Sequence, residues 1–457
     1  MRNGGHQLHG VEALATLTDL GFAAISSGVI ARRPSMLRLL EKTQADERAV
    51  KRLHRLRREF GRGPVELVIP GRRIVVVTDP EDVAAVLEQA PEPFHPANRE
   101  KRKALQWFQP HGVLISQGRI RAQRRAVNEA ALDSGAAMHR LAESFAAKIA
   151  AEADTLVART LPGHRMNSGD FMAAWWRLVR RLTLGERARE DHTITDQLAR
   201  LRRAGNWSFL ALPHYRARSH FTEHLYRYAE DPEPGTLVSA LAEIPAGGAV
   251  DPVGQMPQWL FAFDAAGMAL LRALAVLSTH PLQRDRALED SGEPNRPLLR
   301  SYLRGCVLES VRLWPTTPTI LRDTTQDTHW REGAERFTIA KGAGLMVVVP
   351  AFHRDEQMLP FAHDFVPEIW IDGRAQLYPQ LVPFSAGPAE CPGRNLVLFT
   401  TSTLAANLLS RVHLDLRSTP RPMPGEPLPL TFNQMGLEFS LRPAERAVVA
   451  VASDPAT

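Results

Sequence analysis

Along most of the chain, apolar residues recur three or four positions apart, with polar residues between them. This spacing places the apolar side chains on one face of a helix. Four long helices are predicted in this way, at 122–132, 171–184, 257–278 and 298–313. The third is ended by His280 and Pro281, and the fourth stops before Trp314 and Pro315. The polar segment 284–297 between them is predicted to be a loop.

Short strands are predicted where apolar, often β-branched residues cluster between turn residues. Segment 71–80 (GRRIVVVTDP) is predicted to be a strand that leads into a helix, with Asp79 as the N-cap and the proline in the first turn. Segments 341–350 and 428–441 also have strand character. Met435-Gly436 lies between two apolar runs of the second segment and is predicted to be the turn of a hairpin.

Long helices combined with a few small sheets predict an α+β fold, mostly α, in a single compact domain. Residues 1–60 are expected to form an N-terminal helical extension that leads into a domain formed by residues 61–457. The chain has 457 residues, of which 44% are hydrophobic, so it can bury a large core.

The chain is basic, with a formal net charge of +6 and a sequence pI of about 9.6. Such a balance fits nucleic acid, an anionic membrane or an acidic protein as a partner. The densest basic segment, 47–62 (ERAVKRLHRLRREFGR), is interpreted as a solvated helix face. Because no zinc-finger spacing or RNA-binding signature accompanies it, no nucleic-acid partner is expected.

Only two cysteines occur, Cys306 and Cys391, which argues against a disulfide framework and favours a reducing compartment. Cys306 is expected to be a packed core residue. The apolar run at 20–31 is shorter than the roughly 20 residues that span a bilayer, and it has no clear cleavage site. The sequence therefore predicts a cytoplasmic protein without an integral membrane anchor, and we expect a monomer.

The segment most specific for chemistry is 384–399 (FSAGPAECPGRNLVLF), in which Cys391 lies in a glycine- and proline-rich loop. Glycine permits a tight turn and a close approach of the backbone to a flat ligand, and Pro392 suits the start of a helix. Backbone N–H groups at a helix start can stabilise a thiolate, and a thiolate is a ligand of haem iron. A free cysteine in a turn is the alternative.

This loop resembles the haem loop of the cytochrome P450 haem-thiolate monooxygenases of the bacterial soluble type. The residues that carry the resemblance are Phe384, Gly387, Cys391, Gly393 and Leu396. Further segments follow in the family order, namely 118–125, 309–315, 352–355 and 365–368. The resemblance covers roughly residues 60 to 440 and implies the cytochrome P450 fold.

The resemblance implies a haem b cofactor (iron protoporphyrin IX) whose iron is bound by Cys391. It implies that the loop residues Phe384, Gly387 and Gly393 contact the cofactor. The cationic side chains expected at the haem propionates are Arg121, Arg125 and Arg322, because arginine forks suit carboxylates. Arg121 and Arg125 are four positions apart on one helix face and can point at the same anion. A solvated basic face is the alternative for these two.

Glu309 and Arg312 are one helical turn apart and can pair, and the resemblance implies that the pair braces the cysteine loop. An ordinary surface pair is the alternative. Two positions depart from the family pattern. Ile369 stands where an arginine usually completes the Glu–Arg network, and Arg374 is a candidate substitute. Ala389 stands where a histidine or arginine usually contacts a propionate.

The apolar helix at 257–278 contains a single carboxylate, Asp264. A charge there is costly unless it is solvated, paired or used. In the family this helix crosses the distal face of the haem, and its acid is followed by threonine, whereas here Ala265 follows. The resemblance implies a role of Asp264 in proton delivery, with water or a substrate hydroxyl in place of the threonine. The alternative is that Asp264 only pairs with a basic side chain.

The resemblance implies a monooxygenase that hydroxylates or epoxidises a small or medium-sized organic substrate with O₂. The chain has no flavin or dinucleotide fingerprint, so electrons are expected from a separate ferredoxin and ferredoxin reductase. Ala265 leaves open a peroxide-driven or other atypical reaction, such as coupling or dehydration. A haem-binding protein without turnover is a third possibility. Substrate contacts are expected from 107–115, the helix with Asp264, 316–320 and the region of Met435.

Overall fold

The computed structural model describes residues 6–28, 30–210, 214–332 and 335–444. In these ranges the helices are α1 (Gly10–Ser27), α2 (Pro34–Lys42), α3 (Glu47–Phe60), α4 (Pro80–Glu88), α5 (Arg99–Leu105), α6 (Gly118–Ala131), α7 (Ala142–Thr160), α8 (Ser168–Thr183), α9 (His192–Gly205), α10 (Tyr215–Glu230), α11 (Leu237–Ala242), α12 (Met256–Thr279), α13 (Pro281–Ser291), α14 (Ser301–Leu313), α15 (Val349–His353) and α16 (Arg394–Leu409).

The strands in the same ranges are short and form three sheets. They are β1 (Gln7–His9), β2 (Val65–Ile69), β3 (Arg72–Val76), β4 (Phe94–His95), β5 (Arg165–Asn167), β6 (Thr319–Thr324), β7 (Thr328–Glu332), β8 (Glu335–Ile339), β9 (Gly344–Val348), β10 (Val412–Leu416) and β11 (Glu438–Pro443). The strand orders are β1-β2-β3-β9-β6-β4, β10-β11-β5 and β7-β8. The predicted class, mostly α with small sheets, is confirmed.

Helix α12 forms the centre of the larger hydrophobic core. It packs against α8, α14 and α16, and nearly every side chain of its second half is buried. A second core lies against the six-stranded sheet, where the apolar side chains of β2, β3 and β9 pack on α1, α3 and α4. The first half of α12 is less completely buried than the second half, and the candidate site lies beside it.

The helices predicted from apolar spacing are present as α6, α8, α12 and α14. The predicted helix start after β3 is also confirmed. Helix α4 begins at Pro80, and the Asp79 carboxylate accepts a hydrogen bond from the backbone N–H of Glu81 at 2.9 Å. This bond satisfies one of the donors that a helix start leaves unpaired. Cys306 is buried in the core, as predicted, and both cysteines are free.

Two local predictions are wrong. The first part of the predicted loop 284–297 belongs to α13, which begins at Pro281 and turns only a few side chains, such as Ala287, into the core. A helix with so narrow a buried face has the composition of a loop. The hairpin predicted in 428–441 is also absent from the described residues, because β11 pairs with β10 and with β5.

The N-terminal residues share the largest sheet with the rest of the chain. Strand β1 pairs in parallel with β2, with Leu8 opposite Leu67. The division at residue 60 stays a prediction, and residues 1–5 and 445–457 lie outside the described ranges. In the part of the chain that is described, one helical stretch, Gly248–Thr279, has the length and apolarity of a membrane span, and 72% of its most apolar window is buried inside the fold.

Candidate functional site

Helix α12 keeps one partly exposed face inside an otherwise packed region. The residues of this face are Gln258, Phe261, Ala262 and Ala265. Since they are three or four positions apart, they share one side of the helix. The residues at 266–271 are all buried, so the partly exposed face is confined to the first half of α12. We infer that an opening borders this face.

The segment after α5 borders this face of α12. The ring of Phe108 meets the ring of Phe261 edge-on, with 5.7 Å between the centroids. The side-chain amide of Gln109 donates to the amide oxygen of Gln258 at 2.7 Å. Part of the predicted substrate segment 107–115 therefore lies against the predicted distal helix. The two segments are far apart in sequence.

Asp264 is paired with an arginine of α9. Its carboxylate accepts a hydrogen bond from Arg202 Nη2 at 2.6 Å. The same guanidinium donates to the carbonyl of Ile30 and lies over the ring of Phe261, 4.7 Å from its centroid. The carboxylate thus forms an ion pair with Arg202 at the edge of the opening. This agrees with the alternative in which Asp264 pairs with a basic side chain. Ala265, next along the helix, offers no hydroxyl.

The end of α9 is fastened to the residues that join α1 and α2. The Asn206 side-chain oxygen accepts from the backbone N–H of Ile30 at 2.9 Å and of Ala31 at 3.3 Å, and its amide donates to the Ala31 carbonyl at 2.8 Å. Gly28 has φ of +93°, and a Cβ there would lie 2.0 Å from the Ala31 oxygen. Only glycine fits this turn. We call the contact between Asn206 and residues 30–31 the Asn206 clasp.

The loop of Cys391 is a tight turn that packs on α4. The Cys391 N–H donates to the carbonyl of Phe384 at 3.0 Å, which closes the turn. Gly387 has φ of +64°, and a Cβ there would lie 2.3 Å from the Leu87 oxygen. A Cβ at Gly393 would meet only a Leu132 methyl group at 3.9 Å. The first glycine is therefore required by the contact with α4, a reason that the sequence did not show.

The environment of the Cys391 sulfur fits a metal ligand whose thiolate form is stabilised by the bound metal. Burial raises the pKa of the Cys391 thiol, although the backbone N–H of Gly393 and the charge of Arg125 act in the opposite direction. The helix start alone therefore does not secure the thiolate, and a metal bonded to the sulfur would. In the described ranges no three His, Cys, Asp or Glu side chains form a metal-binding group.

Two buried guanidiniums near this loop have no ion-pair partner among the described residues. Arg121 is 8% exposed and Arg322 is 3% exposed, and neither forms an ion pair with a carboxylate of the described chain. The Nε of each has no hydrogen-bond partner there, while Arg322 Nη2 donates to the Ser385 hydroxyl at 3.2 Å. Burial and the charge of Arg121 lower the pKa of Arg322 to about 10. A bound dianion would offset both effects.

Lys101 belongs to the same basic group, and sequence reasoning missed it. Its ammonium donates to the carbonyls of Pro96 and Leu321, each at 3.2 Å. Burial and the charge of Arg322 lower the pKa of Lys101 to about 7. Nothing in the run REKRK of α5 distinguishes the one lysine that turns inward. We call Lys101, Arg121 and Arg322 the cation group.

Arg125 contacts different groups from Arg121, although the two were expected to point at one anion. Its Nη1 donates to the carbonyl of Glu390, at 2.6 Å, and it pairs with Glu129. Arg125 therefore holds the backbone next to Cys391. Its contact with a propionate stays a prediction.

Glu309 and Arg312 form a fully buried pair in α14, so the surface alternative is wrong. Two parallel hydrogen bonds of 2.6 and 2.8 Å join them. The remaining N–H groups of Arg312 donate to the carbonyls of His353, Phe361, Ala362 and Asp364. A buried ion pair is tolerated when all its polar atoms are satisfied in this way.

A tryptophan completes this network in place of the family's arginine. Trp370 Nε1 donates to the carboxylate of Glu309 at 2.9 Å, and the backbone N–H of Val366 donates to it at 3.0 Å. Arg374, the predicted substitute, is exposed and pairs with Asp372. That prediction is wrong because Arg374 begins a short 3₁₀ helix at the surface. Trp370 and Phe384 both pack against one small apolar cluster, so this cluster lies between the pair and the Cys391 loop.

Comparisons with known proteins show similarity to cytochromes P450 over part of the chain. Residues 293–439 match the family model "Cytochrome P450". A cyclooctat-9-en-7-ol 5-monooxygenase of Streptomyces melanosporofaciens is 29% identical over 211 residues, which are 42% of this chain and 44% of that protein. The human cytochrome P450 4V2 is 30% identical over 159 residues, 32% of this chain and 29% of that protein. The matched stretch thus spans less than half of either relative.

The fold is also shared with a solved structure. A cytochrome P450, CYP102L1, superposes with a TM-score of 0.69 at 19% identity and covers 87% of this chain and 94% of its own. This likeness confirms the predicted fold as a single compact unit over most of the chain.

Proposed function

The chain belongs to the cytochrome P450 family, and we propose that it is a haem-thiolate monooxygenase that inserts one oxygen atom from O₂ into a small or medium-sized organic substrate. The observation that carries the proposal is the cation group next to a loop with one cysteine. Arg322 contacts Ser385, which follows Phe384, and the Phe384 carbonyl binds the Cys391 N–H. A single sulfur ligand lies beside buried cations that have no ion-pair partner in the described chain. This combination matches a metal held in a macrocycle whose two side-chain carboxylates are negatively charged.

The residues present fit a haem b group. Cys391 would bind the iron, and Arg121 and Arg322 would bind the propionates, since their Nε atoms have no partner in the described chain. When bound, the haem would supply the centre at which O₂ is reduced and activated. The chain would contribute the ligand, the counter-charges and the shape of the opening beside α12.

The opening favours an apolar substrate. Its α12 face consists of Phe261, Ala262 and Ala265, with the edge of Phe108 beside it. Gln258 is the polar side chain on that face and already binds Gln109. Apolar walls with few polar groups are usual for pockets that bind small organic molecules. The named activity of the Streptomyces relative, monooxygenation of cyclooctat-9-en-7-ol at position 5, agrees with this class.

Asp264 is the group that would pass protons toward the opening. Its carboxylate is 17% exposed and is held in one orientation by the hydrogen bond from Arg202. Because Ala265 has no hydroxyl, the proton has to continue through water or a hydroxyl of the substrate. A missing hydroxyl also favours a second candidate, a peroxide-driven reaction that needs no proton delivery to bound O₂.

A ferredoxin with its reductase is the proposed electron source. Arg304 and Arg394 lie together on the side of the Cys391 loop, and the charge of Arg394, with burial, lowers the pKa of Arg304 to about 10. Arg304 Nη2 donates to the Asn395 carbonyl at 3.1 Å. Arg394 also pairs with Glu390, so the positive charge that would complement an acidic redox protein at this place comes from Arg304.

The spectrum of the reduced, CO-bound protein tests the haem-thiolate assignment. We expect the Soret band of a thiolate-ligated haem in the wild type and its loss in Cys391→Ser. The control is Cys306→Ser, the other free cysteine, which should keep the band. A wild-type spectrum without thiolate character would overturn the proposal.

The source of oxygen separates the two candidate reactions. Turnover of a substrate panel is compared with ferredoxin, reductase and NAD(P)H on one side and hydrogen peroxide alone on the other. Product only in the first condition supports the monooxygenase, and product with peroxide alone supports the second candidate.

A further inference from the structure

The side-chain amide of Gln255, the residue before α12, is fully hydrogen-bonded. Its oxygen accepts from the backbone N–H of Val113 at 3.1 Å and from Asn128 Nδ2 at 3.2 Å. Its nitrogen donates to the carbonyls of His111 at 2.9 Å and Asp251 at 3.1 Å. An amide oxygen has two lone pairs and an amide nitrogen has two N–H groups, so the bonding capacity of this side chain is used up. Gln255 therefore has a structural role, because it fastens the segment after α5 to the start of α12.

Gln258, about one turn further along, is bonded at one end of its amide only. Its oxygen accepts from Gln109 Nε2 at 2.7 Å, and its nitrogen has no hydrogen-bond partner among the residues that the structure describes. Gln109 is completely buried, whereas Gln258 is partly exposed on the face of α12 that borders the opening. The bond at the oxygen restricts rotation of the amide group. Two N–H groups are thus held in place at the opening and remain available to a ligand.

The surroundings of these N–H groups are apolar. Phe261 and Ala262 follow one turn after Gln258 on the same face, and the ring of Phe108 meets Phe261 edge-on. A polar group that is buried between apolar walls costs free energy unless it is hydrogen-bonded. A ligand that fills the opening separates the N–H groups of Gln258 from solvent. It binds well only if it offers a hydrogen-bond acceptor in exchange.

We propose that Gln258 is a specificity-determining residue that donates a hydrogen bond to an oxygen atom of the substrate. The enzyme then selects apolar molecules that carry a carbonyl or hydroxyl group over plain hydrocarbons. A site that is built to hydrogen-bond one group rejects the analogue without that group, because the polar atoms of the site are left unpaired. This inference rests on the proposed function, since it specifies the substrate class of the opening beside α12.

The position of Gln258 also predicts where the substrate is oxidised. Ala265 is seven positions further along the same face, which corresponds to about 10 Å at the rise of an α-helix. In the proposed function, the reaction takes place beside Ala265. A substrate oxygen bound to Gln258 therefore lies at the other end of the opening, and oxidation is expected at a carbon that is remote from this oxygen.

Equilibrium dialysis of the purified holoenzyme with cyclododecanone, cyclododecanol and cyclododecane tests the proposal, since these probes share one ring and differ at one carbon. For Gln258→Leu we expect the dissociation constant of the ketone to rise about three- to tenfold, the contribution of one neutral hydrogen bond. The dissociation constant of the hydrocarbon should stay the same or fall, because the unpaired amide has been removed. Comparing the changes between variants cancels the difference in hydrophobicity between the probes.

Gln258→Glu separates hydrogen bonding from packing. The carboxylate has nearly the size of the amide and can still accept from Gln109, but it has no N–H group. Cyclododecanone should lose affinity about as much as in Gln258→Leu. Cyclododecanol should bind at least as tightly as to the wild type, because its hydroxyl can donate to the carboxylate. A side chain that only shapes the opening would change the affinities for the ketone and the alcohol equally.

The matched control is Gln123→Leu, because Gln123 is an exposed glutamine within α6. This substitution should leave the dissociation constants of all three probes unchanged. The three variants should unfold close to the wild-type temperature, since neither glutamine is fully buried. Thermal unfolding by circular dichroism checks this.

Three results would overturn the proposal. They are a wild type that does not bind cyclododecanone, an equal loss of affinity for ketone and hydrocarbon in Gln258→Leu, and equal changes for ketone and alcohol in Gln258→Glu. Failure of the proposed function is recognised separately, because the CO-bound spectrum decides it and the affinities do not. Where that spectrum has thiolate character, cyclododecanone should be oxidised at ring carbons remote from the carbonyl. Product mainly at the carbon next to the carbonyl would contradict the position assigned to the substrate oxygen.

Discussion

Two sets of buried arginines in this protein differ in the origin of their counter-charge. Arg312 is fully buried, and its N–H groups are paired within the chain, two of them with Glu309. Arg121 and Arg322 are buried almost as well, but no carboxylate of the described residues pairs with them. Burial and the charge of a neighbouring arginine lower the pKa of both, and for Arg121 the charge of Glu129 offsets only part of this effect.

The difference separates a structural pair from a binding site. When one partner of a buried ion pair within the chain is removed, the protein loses stability. A buried charge whose partner comes from outside destabilises the empty chain and stabilises the complex. Substitutions in the two sets should therefore have opposite effects on the haem-free protein, and four experiments follow from this contrast.

The largest effect is expected from Glu309→Ala, which leaves Arg312 buried without a counter-charge. Removal of one partner of a buried pair costs about 3–5 kcal/mol, and we expect a loss of that order in the free energy of unfolding. Denaturant titration measures it. The control is Glu390→Ala, whose partly exposed pair with Arg394 should contribute less than about 1 kcal/mol. Equal effects of the two variants would refute the contrast.

Arg322→Met should weaken haem binding by about ten- to a hundredfold, because a hydrogen bond to a charged group contributes about 1.5–3 kcal/mol. The free energy of unfolding of the haem-free chain should stay the same or rise, since an unpaired buried charge is removed. Haem titration and denaturant unfolding give the two values. The exposed Arg331 offers the control Arg331→Met, which should change neither.

Trp370→Phe keeps the ring but removes the N–H that binds Glu309. A buried acceptor without its donor costs about 1–2 kcal/mol, and the free energy of unfolding should fall by that amount. Trp207→Phe, at a side chain that is 55% exposed, is the control and should have almost no effect on unfolding. If both substitutions are neutral, the indole does not replace the family's arginine.

Lys101 should make the stability of the haem-free chain depend on pH. Its pKa is about 7 in the folded chain against 10.5 for an ordinary lysine, so between these values the unfolded state binds the additional proton. Stability therefore rises with pH in this window, by about 1 kcal/mol from pH 7 to pH 8.

The pH dependence caused by Lys101 is measured as the difference in the free energy of unfolding between wild type and Lys101→Met. The contributions of the other titrating groups cancel in this difference. The difference should shrink when haem is bound, because a nearby propionate keeps the ammonium protonated. A pH dependence that is identical in the two haem-free proteins would contradict the position of Lys101 in the cation group.

Sequence predicted those features whose partners are close along the chain. Glu309 and Arg312 are one turn apart, and the N-cap at Asp79 acts on the next helix turn. The loop of Cys391 has a fixed spacing of glycine, proline and cysteine, so its turn could be predicted. The long apolar helices were predicted because one apolar face repeats over many turns.

The missed features depend on residues that are far apart in sequence. Trp370 and Glu309 are separated by 61 positions, and Arg202 and Asp264 by 62. Hydropathy gives no information on which of several arginines or lysines turns inward, so Lys101 was missed. Helix α13 was missed because few of its side chains are buried, although Pro281 at its first position was a usable signal.

The Asn206 clasp has a consequence for the passage of molecules to and from the opening beside α12. Since one side chain binds both the N–H groups and the carbonyl of residues 30–31, α9 cannot lift away while the connection before α2 stays in place. Arg202 belongs to the same connection because it also holds the Ile30 carbonyl. The residence time of a substrate should therefore depend on Asn206 and residues 30–31, which are far from Cys391 along the chain.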